Sequence, residues 1–459
     1  MKKLTRLRLV LPFGLAGLAT ILLILPVWAG IGGSTDVTFI STGGGSPDIE
    51  VGNGGTFIAV TYFKQQTGAG SIYLKSATAA SGWLTAKLVG TGSNPKLAFS
   101  ASASDVVYVV WVNSGGTAIQ SSRCTLTPTN LPTCVAGANV QTAVANQLGF
   151  PDIAVGSDGF VHVAWENNGT IQTARSTAAN SVAAWSAPVS VAKGVSDFDR
   201  LPTLAWSSGN SGRLHLAFLR GATSDTPTSI QYRRSDDGSP HSWSGTGFAI
   251  GAQIIGGGVH DEVDNPAIAA VGNNVFLAWD VHRIGGNNFS LVYKTSGDNG
   301  VNWPGAVQYA PSGLDATSTN PSSEIKASSA TGIPIQETGL RPSLAISGTG
   351  SVMVWQEIPG GDCTAFQPSV IEYAIPVITA DGNPTGQLAN PGSNYEIDPD
   401  VAVFGTTGHV VFMKDTTSGS SCGGSVNNYV IAYQGPFTTT DLDQGEEGGR
   451  VYLPLVRKN

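Results

Sequence analysis

Charge is scarce in this chain, at 12% of 459 residues, and most of it that could do chemistry falls at two recurring places. One group flanks a repeated proline: Asp48, Asn94, Lys96, Asp152, Arg200, Asp264, Asn265, Arg341, Asp398 and Asp400. A second group follows short apolar runs that stop at an aromatic: Glu166, Arg220, Asp280, His282, Arg283, Glu357 and Lys414. Arginines among carboxylates can grip an anionic or hydroxyl-rich ligand through charge-assisted hydrogen bonds. Two carboxyls set roughly 5 to 9.5 Å apart could instead cleave a glycosidic bond. The ligand-binding candidates drawn from both groups are Arg200, Arg341, Arg220, Asp152, Glu166, Asp264, Asp280, His282 and Glu357, and no catalytic residue is assigned. Asp and Asn beside proline also build turns, so a structural role competes with the functional one at each position.

The histidines add little to this set. His162, His215 and His409 occupy one register in three similar strands, which marks a repeated packing position, whereas His282 falls in a loop beside the charged groups. The acidic run Asp261-Glu262-Val263-Asp264 offers hard oxygen ligands of the kind calcium takes, but it lacks the spacing of a calcium loop and is read as a solvated turn. No metal or cofactor is expected.

The elements that must position these residues repeat. The phrase proline, short alternating strand, turn, β-branched run, aromatic begins at Pro47, Pro95, Pro151, Pro202, Pro266, Pro342 and Pro399. Second strands follow, clearest in Val161-His162-Val163-Ala164-Trp165, Leu214 to Phe218, Val275 to Trp279 and Val352 to Trp355. Runs that barely alternate imply strands covered on both faces. Third strands such as Ile230-Gln231-Tyr232-Arg233, and vaguer fourth ones, complete a unit of four. Repeated four-stranded units packed face to face predict an all-β fold, a single β-propeller of seven four-stranded blades, with six as the alternative. In such a blade the first strand begins, and the second ends, on one face, so both charged groups share a rim.

After the third strand of the fifth unit comes Ser296-Gly297-Asp298-Asn299-Gly300-Val301-Asn302-Trp303, which matches the Asp-box pattern Ser-x-Asp-x-Gly-x-x-Trp. Weaker copies are Ser235-Asp236-Asp237-Gly238 with Trp243, and Ser76 with Trp83. By these residues the chain resembles the sialidase-like, BNR-repeat propeller superfamily. The box itself is structural: Ser296, Asp298, Gly300 and Trp303 cap and pack a turn. The resemblance implies an arginine cluster for a substrate carboxylate, an acidic general acid/base and a Tyr backed by Glu. Arg200-Leu201-Pro202 is the nearest match to the family's Arg-Ile-Pro, and Arg341 precedes Pro342. Arg200-Leu201-Pro202 stands in the fourth repeat, not the first, and no Tyr–Glu pair is identifiable.

Lys2, Lys3, Arg6 and Arg8 precede an apolar run from Leu9 to Trp28, a secretory leader over residues 1–29, with an uncleaved anchor as the alternative. Four cysteines in an exported chain predict two disulfides, Cys124 with Cys134 and Cys363 with Cys422. The propeller is expected over 34–437, closed by Asp36 to Ile40 pairing into the last blade. An acidic linker at 438–449 and a tail at 450–459, a possible surface-retention motif, complete the chain. The stretch Pro311 to Gly339 is the longest insertion between repeats. A net charge of −8 excludes nucleic acid as a partner. The expected protein is therefore an extracellular or cell-surface monomer that binds a glycan or an extracellular protein on its charged rim without catalysis. It would meet a membrane only through an uncleaved leader. The alternative is a sialidase-like exo-glycoside hydrolase.

Overall fold

The computed structural model describes residues 38 to 438, leaving out 42–43, 65–69, 144–146, 192–196, 210–211, 224–226, 236–242, 244–247, 250–260, 284–288, 304–306, 310–341, 349, 358–369, 375–384, 388–395 and 416–428. The leader, the Pro311 to Gly339 insertion, Arg341, Cys363, Cys422, the linker and the tail lie outside the described residues.

Every strand pairing is antiparallel, and no α-helix occurs among the described residues. The strands form six sheets, five of them four-stranded. The sixth holds two repeats joined through the long strand Lys87–Phe99, whose first part pairs with Ser71–Thr78 and whose second part pairs with Val106–Asn113. Each proline phrase lies in the first strand of a unit. In order these first strands are Gly45–Val51, Lys87–Phe99, Leu148–Val155, Phe198–Ser207, Asp261–Val271, Ser343–Ile346 and Glu396–Phe404, and they define units 1 to 7. Each first strand neighbours the next, and the seventh neighbours the first. The N-terminal strand Thr38–Phe39 pairs with Tyr429–Thr438 of unit 7, so the two ends of the described chain meet in one sheet.

Burial explains the weakly alternating second strands. Val106 to Val112, Val161 to Trp165, Leu214 to Leu219 and Val352 to Trp355 are buried along their whole length, because each sheet packs a neighbour on both faces. One apolar cluster joins Ala205, Leu219 and Tyr232 of unit 4 to Ile268, Leu277 and Trp279 of unit 5. Another joins Ile49 and Val60 of unit 1 to Val411 and Ile431 of unit 7. Trp165, Trp279 and Trp355 are fully enclosed, and truncating such a side chain costs about 3 to 5 kcal/mol.

The proline has a repeated backbone consequence. It lacks an N–H and cannot continue a ladder, so the strand must bulge there. In six units the register slips across it: Gly45/Asp48, Ser93/Lys96, Gly149/Asp152, Arg200/Thr203, Asp264/Ala267 and Ile397/Asp400. The residue before the proline is left-handed each time: Ser46 (φ 47°), Asn94 (50°), Phe150 (45°), Leu201 (46°), Asn265 (46°) and Asp398 (56°). Asn and Asp tolerate this region, whereas Phe and Leu pay of order 1 to 3 kcal/mol each to occupy it.

Unit 2 carries the disulfide expected between Cys124 and Cys134, which face each other across two paired strands.

Candidate functional site

Among the described residues, polar side chains gather in three zones. The first lies where the first strands face one another. The residue after the proline sends its side chain to the next unit's free strand edge. Asp48 accepts the Leu97 N–H at 2.7 Å, Asp152 accepts the Leu204 N–H at 2.6 Å, and Asp400 accepts the Ile49 N–H at 2.7 Å. Ser343 donates its hydroxyl to Asp400 at 2.6 Å. These groups satisfy inner-edge donors that no strand pairs. Lys96 donates to Asp48 at 2.7 Å. Burial works against its charge, but Asp48, Asp400 and Asp152 outweigh that and hold it protonated. Burial pushes the Asp48 and Asp152 carboxyls up and takes Asp400 to about 6. Asp152, a rim candidate by sequence, thus sits inside as a latch between units 3 and 4.

Glu50, two residues beyond Asp48, was not singled out by the sequence. Its side chain is exposed to solvent, yet the protein crowded around it first, and then the charges of Asp48, Asp400 and Asp152, raise its carboxyl to about 8. Asp at the post-proline position in three repeats was the available signal, since alternation places residue 50 on the same side as residue 48.

The second zone is the face holding the turns after the first and third strands. Burial works against the Asp298 carboxylate, but it accepts the Val301 and Asn302 N–H groups at 3.0 and 2.8 Å together with the Ser296 hydroxyl and the Asn302 side-chain amide, and these outweigh burial and draw it to about 2. Ser296 accepts the Gly300 N–H at 3.0 Å, and Trp303 meets Tyr232 edge to face. Asn299 receives the Ser207 hydroxyl at 2.6 Å and lies 3.1 Å from His215 Nε2, so the turn of unit 5 fastens unit 4. Asn180, also left-handed, receives the Ser102 hydroxyl at 2.9 Å and fastens unit 3 to unit 2 in the same way. Its turn carries a Ser176–Trp185 bridge that the sequence pattern missed because the spacing is stretched; Ser235–Trp243 forms the matching bridge in unit 4.

The histidines behave as packing residues. His162, His215 and His409 are buried, and Nδ1 of His215 and His409 lies 2.7 and 2.8 Å from Tyr232 and Tyr433 Oη. Burial lowers both rings to about 3, so they are neutral.

The third zone is the rim where first strands begin and second strands end. Part of it is self-satisfied. Asp199 binds Arg220 in a two-pronged pair at 2.7 and 2.8 Å, with Asp197 at 3.4 Å, and the Asp199 hydrogen bond raises the guanidinium further. Glu396 receives Lys414 at 2.7 Å. Asp280, 2% exposed, accepts from Asn265 Nδ2 at 3.0 Å, while exposed Asp264 accepts the Asn265 N–H. Of His282 and Glu357 the structure describes the backbone alone: His282 pairs with Glu262 and Phe289, and Glu357 with Val370.

At units 3 and 4 the charged pair stands further apart. Glu166 ends a second strand of unit 3, Arg200 opens a first strand of unit 4, and Glu166 Oε2 lies 3.8 Å from Arg200 Nε, too long for a hydrogen bond. Burial raises the Glu166 carboxyl, and Arg200 opposes that. The Arg200 guanidinium stands 5.9 Å from the ring centre of Phe150, which is 37% exposed. Phe150 escaped the sequence reading, although an aromatic before the proline, where four other units carry Ser, Asn or Asp, was visible there. Among the described residues, no three carboxylate, imidazole or thiol groups converge to hold a metal ion.

No family model matches the chain, and no curated protein matches it in sequence. Solved structures do. A polysaccharide lyase, an ulvan lyase bound to -[GlcA(1-4)Rha3S]-, is similar at a TM-score of 0.57 and 9% identity, over 86% of this chain and 94% of that one. The NanB sialidase from Streptococcus pneumoniae is similar over 92% of this chain and 72% of that one, with 10% identity and a TM-score of 0.41. An α-L-arabinanase from Penicillium chrysogenum, solved with arabinobiose, covers 89% and 97%, with 11% identity and a TM-score of 0.41. At these identities the likeness to the lyase concerns the fold alone, and the two weaker ones carry no argument. The fold is that of the β-propellers.

Proposed function

We propose that this protein is an exported β-propeller of seven four-stranded blades that binds a glycan, without turning it over, on the rim of units 3 and 4. The observation that carries this reading is Phe150: a solvent-facing ring, held in a left-handed backbone, with the Arg200 guanidinium 5.9 Å from its centre and Glu166 beside that arginine. Such a ring offers an apolar platform for the C–H face of a sugar, and Arg200 and Glu166 offer a donor and an acceptor for its substituents. The cyclic order of first strands and the pairing of the two chain ends in unit 7 support a closed ring. The disulfide of unit 2 suits an oxidising compartment. Several rim carboxylates are already committed, Asp199 to Arg220 and Glu396 to Lys414, which favours binding over hydrolysis.

Titration calorimetry against a panel of neutral and acidic oligosaccharides tests the proposal. The parent is expected to bind at least one, and Phe150→Ala and Arg200→Ala each to weaken it about tenfold or more, while Val301→Ala on the opposite face leaves it unchanged. A parent that binds none, or variants that bind like the parent, would overturn the site. Hydrolysis of chromogenic glycosides abolished by Arg200→Ala would overturn the noncatalytic reading.

A further inference from the structure

The left-handed residue before each proline has a meaning beyond the bulge itself. A glycine would hold that backbone without penalty, and the chain has 59 glycines, yet all seven pre-proline positions carry a side chain. A proline that follows restricts those positions further, which makes the retained side chains more costly to keep. The conformation is common to the six described units, but the side chain it presents changes from Ser46 to Asn94, Phe150, Leu201, Asn265 and Asp398. Constant backbone with varied chemistry is the mark of a display position.

Their placement fits that role. Each lies two residues before the residue that faces the neighbouring first strands, such as Asp48, Lys96, Asp152 or Asp400, and so on the rim side of the axis. None is fully buried, and Phe150 is exposed. Asn265 is tied to Asp280 and serves the rim's own structure. Leu201 packs against the core between units 4 and 5 and is likewise structural. Ser46, Asn94 and Phe150 stand in the consecutive units 1, 2 and 3, a polar pair followed by an exposed ring.

We propose that the pre-proline side chains of units 1 to 3 form a collar that sets specificity, with Phe150 against the C–H face of a saccharide and Ser46 and Asn94 bonding its hydroxyls. This rests on the reading of the rim as a glycan site and extends it from units 3 and 4 to units 1 and 2.

Glycine substitution separates display from structure, because glycine accepts φ near +50° and deletes only the side chain. Ser46→Gly, Asn94→Gly and Phe150→Gly are expected to melt at or above the parent's temperature. Each is also expected to weaken the tightest-binding oligosaccharide of the panel: about fivefold or more for Ser46 and Asn94, about tenfold or more for Phe150. Weakening by Phe150→Gly with parental binding by Ser46→Gly and Asn94→Gly would overturn the collar and leave the rim site standing. Clearly lowered melting temperatures in all three would overturn it too, since the side chains would then be structural. A parent that binds no oligosaccharide overturns the collar together with the site.

Discussion

Glu50→Gln should make the protein more stable, and only above mildly acidic pH. Glu50 faces Asp48, Asp152 and Asp400, and Lys96 is the counter-charge those three share. Its carboxyl is raised from 4.5 to about 8, by the protein crowded around it first and then by the three aspartates. Between those values the folded protein keeps a proton that the unfolded chain has released, so stability falls as pH rises through the window. Below it, both states are protonated and the penalty vanishes. A displacement of that size corresponds to about 5 kcal/mol at about 1.4 kcal/mol per pH unit. Solvent reaches the Glu50 side chain and screens it, so a gain of about 1 to 2 kcal/mol above pH 8 is the expected size. Urea unfolding of parent and variant at pH 4.5 and pH 9 measures it. The difference should be near zero at the lower pH and favour the variant at the higher. Equal stabilities at both, or a variant weakened at pH 9, would show that Glu50 does not carry an unfavourable charge among these aspartates.

Lys96→Met should cost about 1 to 3 kcal/mol at pH 8, because it strips the partner from Asp48 and leaves Asp152 and Asp400 uncompensated, with solvent at the half-exposed lysine screening part of the loss; the loss should shrink toward pH 4, where those carboxyls take up protons. The same denaturant titrations check it, and a pH-independent loss would contradict it. Asn299→Gly keeps the left-handed turn but removes the acceptor for Ser207 and the donor to Gly209, so about 1 to 3 kcal/mol of stability should disappear. Calorimetric melting with no change for that variant would remove the fastening role assigned to the turn.

The architecture was legible because the repeat writes it. Seven proline phrases and fully apolar second strands specify sheets packed on both faces, and a strand near residue 38 pairs into unit 7 as expected. The Asp298 turn and the buried histidines were equally readable, since each depends on local chemistry or shared register. The rim was legible only in part. Charge alone does not reveal geometry: Arg220 and Arg200 look alike in sequence, yet Asp199 binds the first in a two-pronged pair and Glu166 lies 3.8 Å from the second. Asp152 and Asp264 both flank a proline, but residues after it turn inward while those before it stay on the rim. The bulge that causes this is set by the ladder, which a one-dimensional pattern does not show. Phe150 was passed over because its exposure is set by its surroundings: Leu201 shares its left-handed backbone yet packs against the core.

Hydrogen–deuterium exchange with and without the tightest-binding oligosaccharide tests the rim most directly. Protection concentrated in residues 147–150 and 198–201, with none in 296–303, is the predicted result. Protection confined to the turns of the opposite face, or absent from the segments around Phe150 and Arg200, would contradict the account.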